Sequence, residues 1–363
     1  MTRKHEKRDM ILAGLIIGVI SALLVLFGNP KNMGFCIACF LRDTAGALGL
    51  HTAGAVQYIR PEIIGLVLGS FLMALAKKEF SPRGGSAPVT RFVLGMFVMI
   101  GSLMFLGCPF RMILRLAGGD LNAVLGLLGF AAGILVGVFF LNRGYSLKRS
   151  YALVKAEGGV FPLLMLAALV LLIVAPEFIH FSEAGAGPGA LHAPMILSLV
   201  AGLVVGALAQ RTRLCMVGGI RDLVLFKETR LILGFAAVCV GALVCNLILT
   251  AGTGTAYFTL AFADQPVAHT DGLWNFLGMM LTGFASVLLG GCPLRQLILA
   301  GEGSSDSAMA VFGLIAGAAF CHNFSLASSA KGPTGNGKIA VIVGLVVVLV
   351  IAAVNTFKKE NAK

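Results

Sequence analysis

Runs of roughly 20 predominantly apolar residues recur along this chain, each long enough to cross a bilayer. Short polar breaks separate them. The pattern predicts membrane spans near Met10–Gly28, Glu62–Ala76, Phe92–Leu106, Leu121–Leu141 and Val160–Ala175. Five more are predicted near Met195–Ala209, Leu231–Thr250, Leu273–Leu289, Ser307–Phe320 and Ile339–Val354. The expected architecture is therefore an all-α polytopic membrane protein with five spans in each half.

The breaks carry a second pattern. One long run ends in Gly107-Cys108-Pro109-Phe110-Arg111 and another in Gly291-Cys292-Pro293-Leu294-Arg295. Proline suits the first turn of a new helix, and each new helix meets glycine soon afterwards, at Gly118-Gly119 and at Gly301. Such half-helices are too short to cross. Upstream, Cys36 precedes Arg42-Asp43 at the same spacing by which Cys215 precedes Arg221-Asp222. Asn29-Pro30 ends the first span, and a short mixed stretch from Phe35 to Leu50 follows it. Irregular backbone at membrane depth survives only where protein or a water-filled cavity satisfies it. Four such re-entrant cysteine segments imply an hourglass with a narrow waist.

The order of motifs repeats once. Residues 1–159 form a first repeat with four spans and a basic loop, 160–192 a fifth span and linker, and 193–363 a second repeat. Five spans separate equivalent points, and five is odd, so the second half crosses in the opposite sense. Inverted repeats place their substrate site near the midplane, where interrupted helices meet.

Charge then orients the chain. Lys77, Lys78, Arg83 and Arg91 fall on one connection, Arg143, Lys148, Arg149 and Lys155 on another, and Lys358, Lys359 and Lys363 on the tail. The connections Glu177–His192 and Thr253–Gly272 carry no lysine or arginine. This alternation, with Lys331 a mild exception, predicts cytoplasmic N- and C-termini. The N-terminal apolar run is too long for a typical signal h-region and lacks a small-residue cleavage site, so it is expected to be a retained span. Composition agrees: 58% hydrophobic and 12% charged over 363 residues, with a mean hydropathy of +0.94. The net charge of +12 reflects the orienting bias and is no nucleic-acid footprint.

The chemistry concentrates in the repeated motifs. A thiol at a helix N-terminus meets backbone amides and a positive dipole end, and loses its proton more readily. Arg111 and Arg295 follow one turn on, where they would attract an anion. Cysteine is also a small apolar packing residue and arginine can snorkel; duplication of both with the same neighbours favours function. Arg42-Asp43 and Arg221-Asp222 read either as pairs that pin their loops or as substrate contacts. Cys36-x-x-Cys39 has the spacing of a redox pair, but by repeat position Cys36 matches Cys215, whereas Cys39 aligns with glycine; Cys39 is expected to support Cys36. Cys239, Cys245 and Cys321 read as packing residues. Glu62, Glu302 and Asp306 lie near span ends, where structural roles are expected. Eight cysteines in membrane sequence are expected reduced. No Cys/His set forms a metal site, no cofactor is implied, and the lack of a Walker A sequence argues against ATP hydrolysis.

The duplicated Gly-Cys-Pro-x-Arg and the upstream cysteine loops resemble the YeeE/YedE family of bacterial inner-membrane sulfur-compound transporters. The stretches 32–43 and 105–111 look closest to its selenium-associated branch. The resemblance implies that thiosulfate, or a related selenium anion, passes a constriction by hydrogen bonding to thiols at Cys36, Cys108 and Cys292, with Cys215 in the remaining loop. It also implies a cytoplasmic sulfur-carrier partner of the TusA type. Two other readings stand beside it: a membrane thiol enzyme that forms and transfers a persulfide or selenosulfide, and a passive channel for a neutral small molecule, which would have no need of paired arginines.

Overall fold

The computed structural model describes residues 3–357. The first half runs through α1 (Arg3–Leu26), α2 (Ile37–Ala47), α3 (Pro61–Ala76), α4 (Pro88–Phe105), α5 (Pro109–Ala117), α6 (Asn122–Asn142) and α7 (Lys155–Val174). The second runs through α8 (Met195–Thr212), α9 (Met216–Phe226), α10 (Arg230–Thr253), α11 (Gly272–Leu289), α12 (Pro293–Gly301), α13 (Ser305–Asn323) and α14 (Gly335–Phe357). The sheet content is a two-residue pairing of β1 (Arg83–Gly84) with β2 (Tyr151–Ala152). Among the described residues, ten helical stretches are long and apolar enough to cross a membrane. The chain is an all-α, multi-pass membrane protein.

Helices reach beyond their apolar windows. α1 begins at Arg3 rather than Met10, α7 at Lys155 rather than Val160, and α14 at Gly335 rather than Ile339. Hydropathy reports only the stretch that must avoid water, whereas the hydrogen-bonded helix continues into charged flanks, where Lys and Arg are good helix formers.

The two halves pack reciprocally. α1 lies on α10 as α8 lies on α3; α4 lies on α13 as α11 lies on α6; and α4 and α11 cross each other. Close approach depends on glycine. Gly65 and Gly69 of α3 face Gly202 and Gly206 of α8, and a Cβ on any of the four would collide with the opposing backbone. Small residues are how membrane helices gain packing area where no hydrophobic drive separates protein from lipid. The last span of each half breaks the correspondence: α7 rests on α3 and α12, whereas α14 rests on α4 and α11.

The short helices are strapped from the opposite half. After α12, the carbonyls of Glu302 and Gly303 accept from the N–H groups of Ser81 and Arg83 at 2.9 and 3.2 Å. After α5, the carbonyls of Gly118 and Gly119 accept from Thr259 and Ala261 at 2.9 and 3.1 Å. Each strap closes as a parallel bridge, Arg83 with Ser304 and Asp120 with Ala261. A short helix inside a membrane protein leaves terminal carbonyls that need partners, and these crossed straps supply them.

Candidate functional site

Each of the four repeated cysteines occupies the position immediately before a short helix: Cys36 before α2, Cys108 before α5, Cys215 before α9 and Cys292 before α12. All four are free thiols in the core. Their backbones are extended, as a cap position requires. Cys36 Sγ accepts from the N–H of Cys39, and Cys215 Sγ from the N–H of Gly218, both at 3.3 Å. The alignment of Cys39 with glycine is thus a structural equivalence, since each supplies only a backbone donor to the capping sulfur.

The thiols meet in pairs, one in each half. Cys36 lies against Cys108, and Cys215 against Cys292. The second member of each pair faces two helix starts at once. Cys108 has the backbone N–H groups of Ala38 in α2 and Arg111 in α5 directed at it. Cys292 has those of Met216 in α9 and Arg295 in α12. Two positive dipole ends converge on each thiol pair, which suits transient contact with an anion.

Arg111 is fully buried, and backbone carbonyls occupy its guanidinium. Nε donates to Asn32 O at 3.2 Å, Nη2 to Pro266 O and Val267 O at 3.3 and 3.2 Å, and Nη1 to Leu106 O. Nη1 also lies 3.9 Å from Cys39 Sγ. Leu106 and Val267 both adopt positive φ, at +63° and +49°. That conformation is costly for a β-branched residue, and here it turns carbonyls toward the guanidinium. At the equivalent turn in the second half stands Gly290, with φ +85°. Arg111 is therefore a clamp between the thiol region and the 264–268 loop, and its charge faces neutral oxygens rather than a carboxylate.

Arg295 differs. It is 8% exposed, its Nη1 has no hydrogen-bond partner, and its Nη2 lies 3.8 Å from Glu302 Oε2. Within reach of Cys215 and Cys292, it is the second-half arginine that keeps donor capacity available to an anion.

The Arg42-Asp43 pair is joined by a third residue. Arg42 Nη2 and Nε reach Asp43 Oδ1 at 2.7 and 2.9 Å, while Arg60 Nη2 and Nε reach Asp43 Oδ2 at 2.7 and 2.9 Å. Arg60 also donates to Leu191 O and Pro188 O, both at 2.9 Å. This ties α2, the start of α3 and the linker together. His51 Nε2 sits 3.0 Å from Arg42 O, and its Nδ1 accepts from Ala53 N–H at 3.3 Å. Burial holds the His51 pKa below its ordinary value, so the neutral ring donates to that carbonyl. Arg221-Asp222 is a simpler pair, 2.7 Å apart with side chains 25% and 18% exposed. Asp43→Asn should cost about 3–5 kcal/mol, because it strands two buried guanidinium groups. Asp222→Asn should cost under about 1 kcal/mol. Thermal unfolding of the detergent-purified variants measures the contrast.

Sequence reasoning missed three groups. Arg60 escaped because it sits in an apparent loop before Pro61. Arg115, paired to Asp120 at 2.6 Å with no exposure of either side chain, was legible as a second arginine in a half-helix. Gln210, which bridges Glu79 and Glu302 at 3.2 and 3.1 Å, carried no signal. Cys239 is half-buried in α10, Cys245 is buried there, and Cys321 is buried in α13.

Residues 211–359 match the family described as Sulphur transport, a segment that contains Cys215, Cys292 and Arg295. The thiosulfate transporter TsuA of Escherichia coli (strain K12) is 33% identical over 123 residues, covering 32% of this chain and 32% of that protein. Over residues 211–359 the chain is similar to the sulfur-transport family. It aligns with about a third of that relative's length, and the first thiol pair, Cys36 and Cys108, lies outside the residues matched to the family.

Proposed function

We propose that this chain carries a small sulfur-containing anion of the thiosulfate type across the bacterial inner membrane, past two thiol pairs. The observation that carries this reading is the placement of all four repeated cysteines, themselves buried, at the starts of short helices, paired as Cys36 with Cys108 and Cys215 with Cys292. A thiol is a soft, weak hydrogen-bond partner, able to replace water around an anion without trapping it, and conduction needs sites that release. Converging helix starts and the charge of Arg295 supply attraction without a fixed strong site. The reciprocal packing and crossed straps of the two halves support the inverted-repeat reading. The basic connections support cytoplasmic termini. The similarity to a thiosulfate transporter supports the cargo class, and a selenium oxyanion or selenide has related size and softness.

At the basic end, a cavity of about 360 Å³ is lined by Lys77, Arg211, Arg213 and Arg230 together with Glu6, Asp9 and Glu79. A sulfur-carrier protein of the TusA type, receiving cargo on the cytoplasmic side, would meet the chain there. Radiolabelled thiosulfate and radiolabelled selenite, offered to cells lacking other uptake routes, test the reading. Accumulation of thiosulfate above an empty-vector control is expected. Uptake of selenite alone would move the cargo to selenium, and uptake of neither would sink the transport assignment.

A further inference from the structure

The second-half arginine is left incomplete in a particular way. Arg295 is buried, its Nη1 has no partner, and the carboxylate nearest to it, Glu302, stays 3.8 Å from Nη2, beyond a hydrogen bond. Glu302 is buried too, and its firm contacts lie elsewhere. Oε1 is held by Arg83 Nη2 at 2.9 Å, and Oε2 accepts from Gln210 Nε2 at 3.1 Å. Gln210 also reaches Glu79 Oε2 at 3.2 Å, and Glu79 lines the cavity at the basic end. A continuous polar line therefore runs from that cavity through Gln210 and Glu302 to Arg295 and the thiols of Cys215 and Cys292.

We propose that Glu302 is a built-in competitor for the anion at Arg295, and that exchange between the two sets release at the basic end. This rests on the anion-path reading above. A buried guanidinium with an unmade hydrogen bond attracts any oxyanion that reaches it, since charge-assisted bonds there are the strong ones. Left alone, such a group would hold the anion too tightly for turnover. A carboxylate poised at 3.8 Å answers that problem: it yields while the anion is bound and returns as the anion leaves. Its other oxygen is anchored by Arg83 on the strap from the α3–α4 connection, so it cannot collapse fully onto Arg295. The first half has no equivalent, because carbonyls already occupy Arg111.

The experiment measures KM and maximal rate of radiolabelled thiosulfate uptake in proteoliposomes of the purified full chain. Glu302→Gln removes the competing charge while keeping a hydrogen-bonding side chain. Its KM should fall roughly fivefold, the scale of one displaced ion-pair contact, and its maximal rate should fall with it. Arg83→Gln releases the anchored oxygen and lets Glu302 settle on Arg295, so its KM should rise. A purely structural role for Glu302 in holding the strap predicts instead that both variants lose folded protein together with KM unmoved. An unchanged or raised KM in Glu302→Gln overturns the proposal. If that variant does not fold, Arg83→Gln decides alone: a raised KM supports the proposal, and an unmoved or lowered one overturns it. No uptake by the parent chain would overturn the anion-path reading and this inference together, whereas normal parental uptake with unmoved KM values overturns only the latter.

Discussion

Cys108→Ala and Cys292→Ala should abolish thiosulfate uptake while leaving folded protein in the membrane. Each substitution removes one small side chain, a packing loss of about 1 kcal/mol, well within what a folded domain tolerates. Neither sulfur caps its helix, so the local fold does not depend on it. Cys36→Ala and Cys215→Ala should cost about 1 kcal/mol more, since each sulfur accepts a backbone N–H at its helix start and a lost cap costs about that much. Serine then separates two mechanisms. It is a good cap and a hydrogen-bond donor of similar size, but it cannot form a persulfide or selenosulfide. Partial uptake in the serine variants supports passage by hydrogen bonding. Complete loss in serine, with an adduct trapped on the native thiol, supports covalent transfer. Cys239→Ala and Cys321→Ala should transport nearly normally. Parental rates in all the alanine variants would make the repeated thiols structural and end the relay reading.

Much of this arrangement was legible because duplication filters accident. A single cysteine before proline says little, but Gly-Cys-Pro-x-Arg twice, each behind a Cys…Arg-Asp, marks four helix starts, and all four cysteines do stand immediately before short helices. The ten spans were legible because lipid imposes length and apolarity on every crossing segment. What the sequence could not reveal was pairing across distance. Nothing in the order of residues links Arg60 to Asp43 within the first half, or Ser81 to Glu302 across the two halves, since those contacts are set by how the helices stack. The repeat also misled in one respect. Arg111 and Arg295 hold equivalent positions and suggest equal roles, yet their surroundings diverge. The 264–268 loop closes over Arg111, whereas Arg295 faces a distant carboxylate and an open donor.

That divergence yields the last expected result, a split between two arginines that the sequence equates. Arg111→Lys should be nearly as damaging as Arg111→Ala, and both should lower the amount of folded protein. The guanidinium spans carbonyls of Asn32, Leu106, Pro266 and Val267, and a lysine ammonium is a point donor that cannot reach all four. Stranding buried acceptors costs about 1–3 kcal/mol apiece, enough to release the 264–268 loop and relax the strained turns at Leu106 and Val267. Arg295 should behave in the opposite manner. Arg295→Met should fold and reach the membrane, because this side chain makes no hydrogen bond shorter than its 3.8 Å approach to Glu302. Uptake should nevertheless fall at least roughly tenfold, the change produced by losing about 1.4 kcal/mol of anion attraction. Arg295→Lys keeps the charge and should retain most of the uptake. Protein abundance in isolated membranes, set beside initial uptake rates per molecule, reads both effects from one set of strains. Normal abundance of Arg111→Lys would show that the clamp is dispensable. Unchanged uptake in Arg295→Met would remove the second-half arginine from the path, and with it the asymmetry between the two thiol pairs.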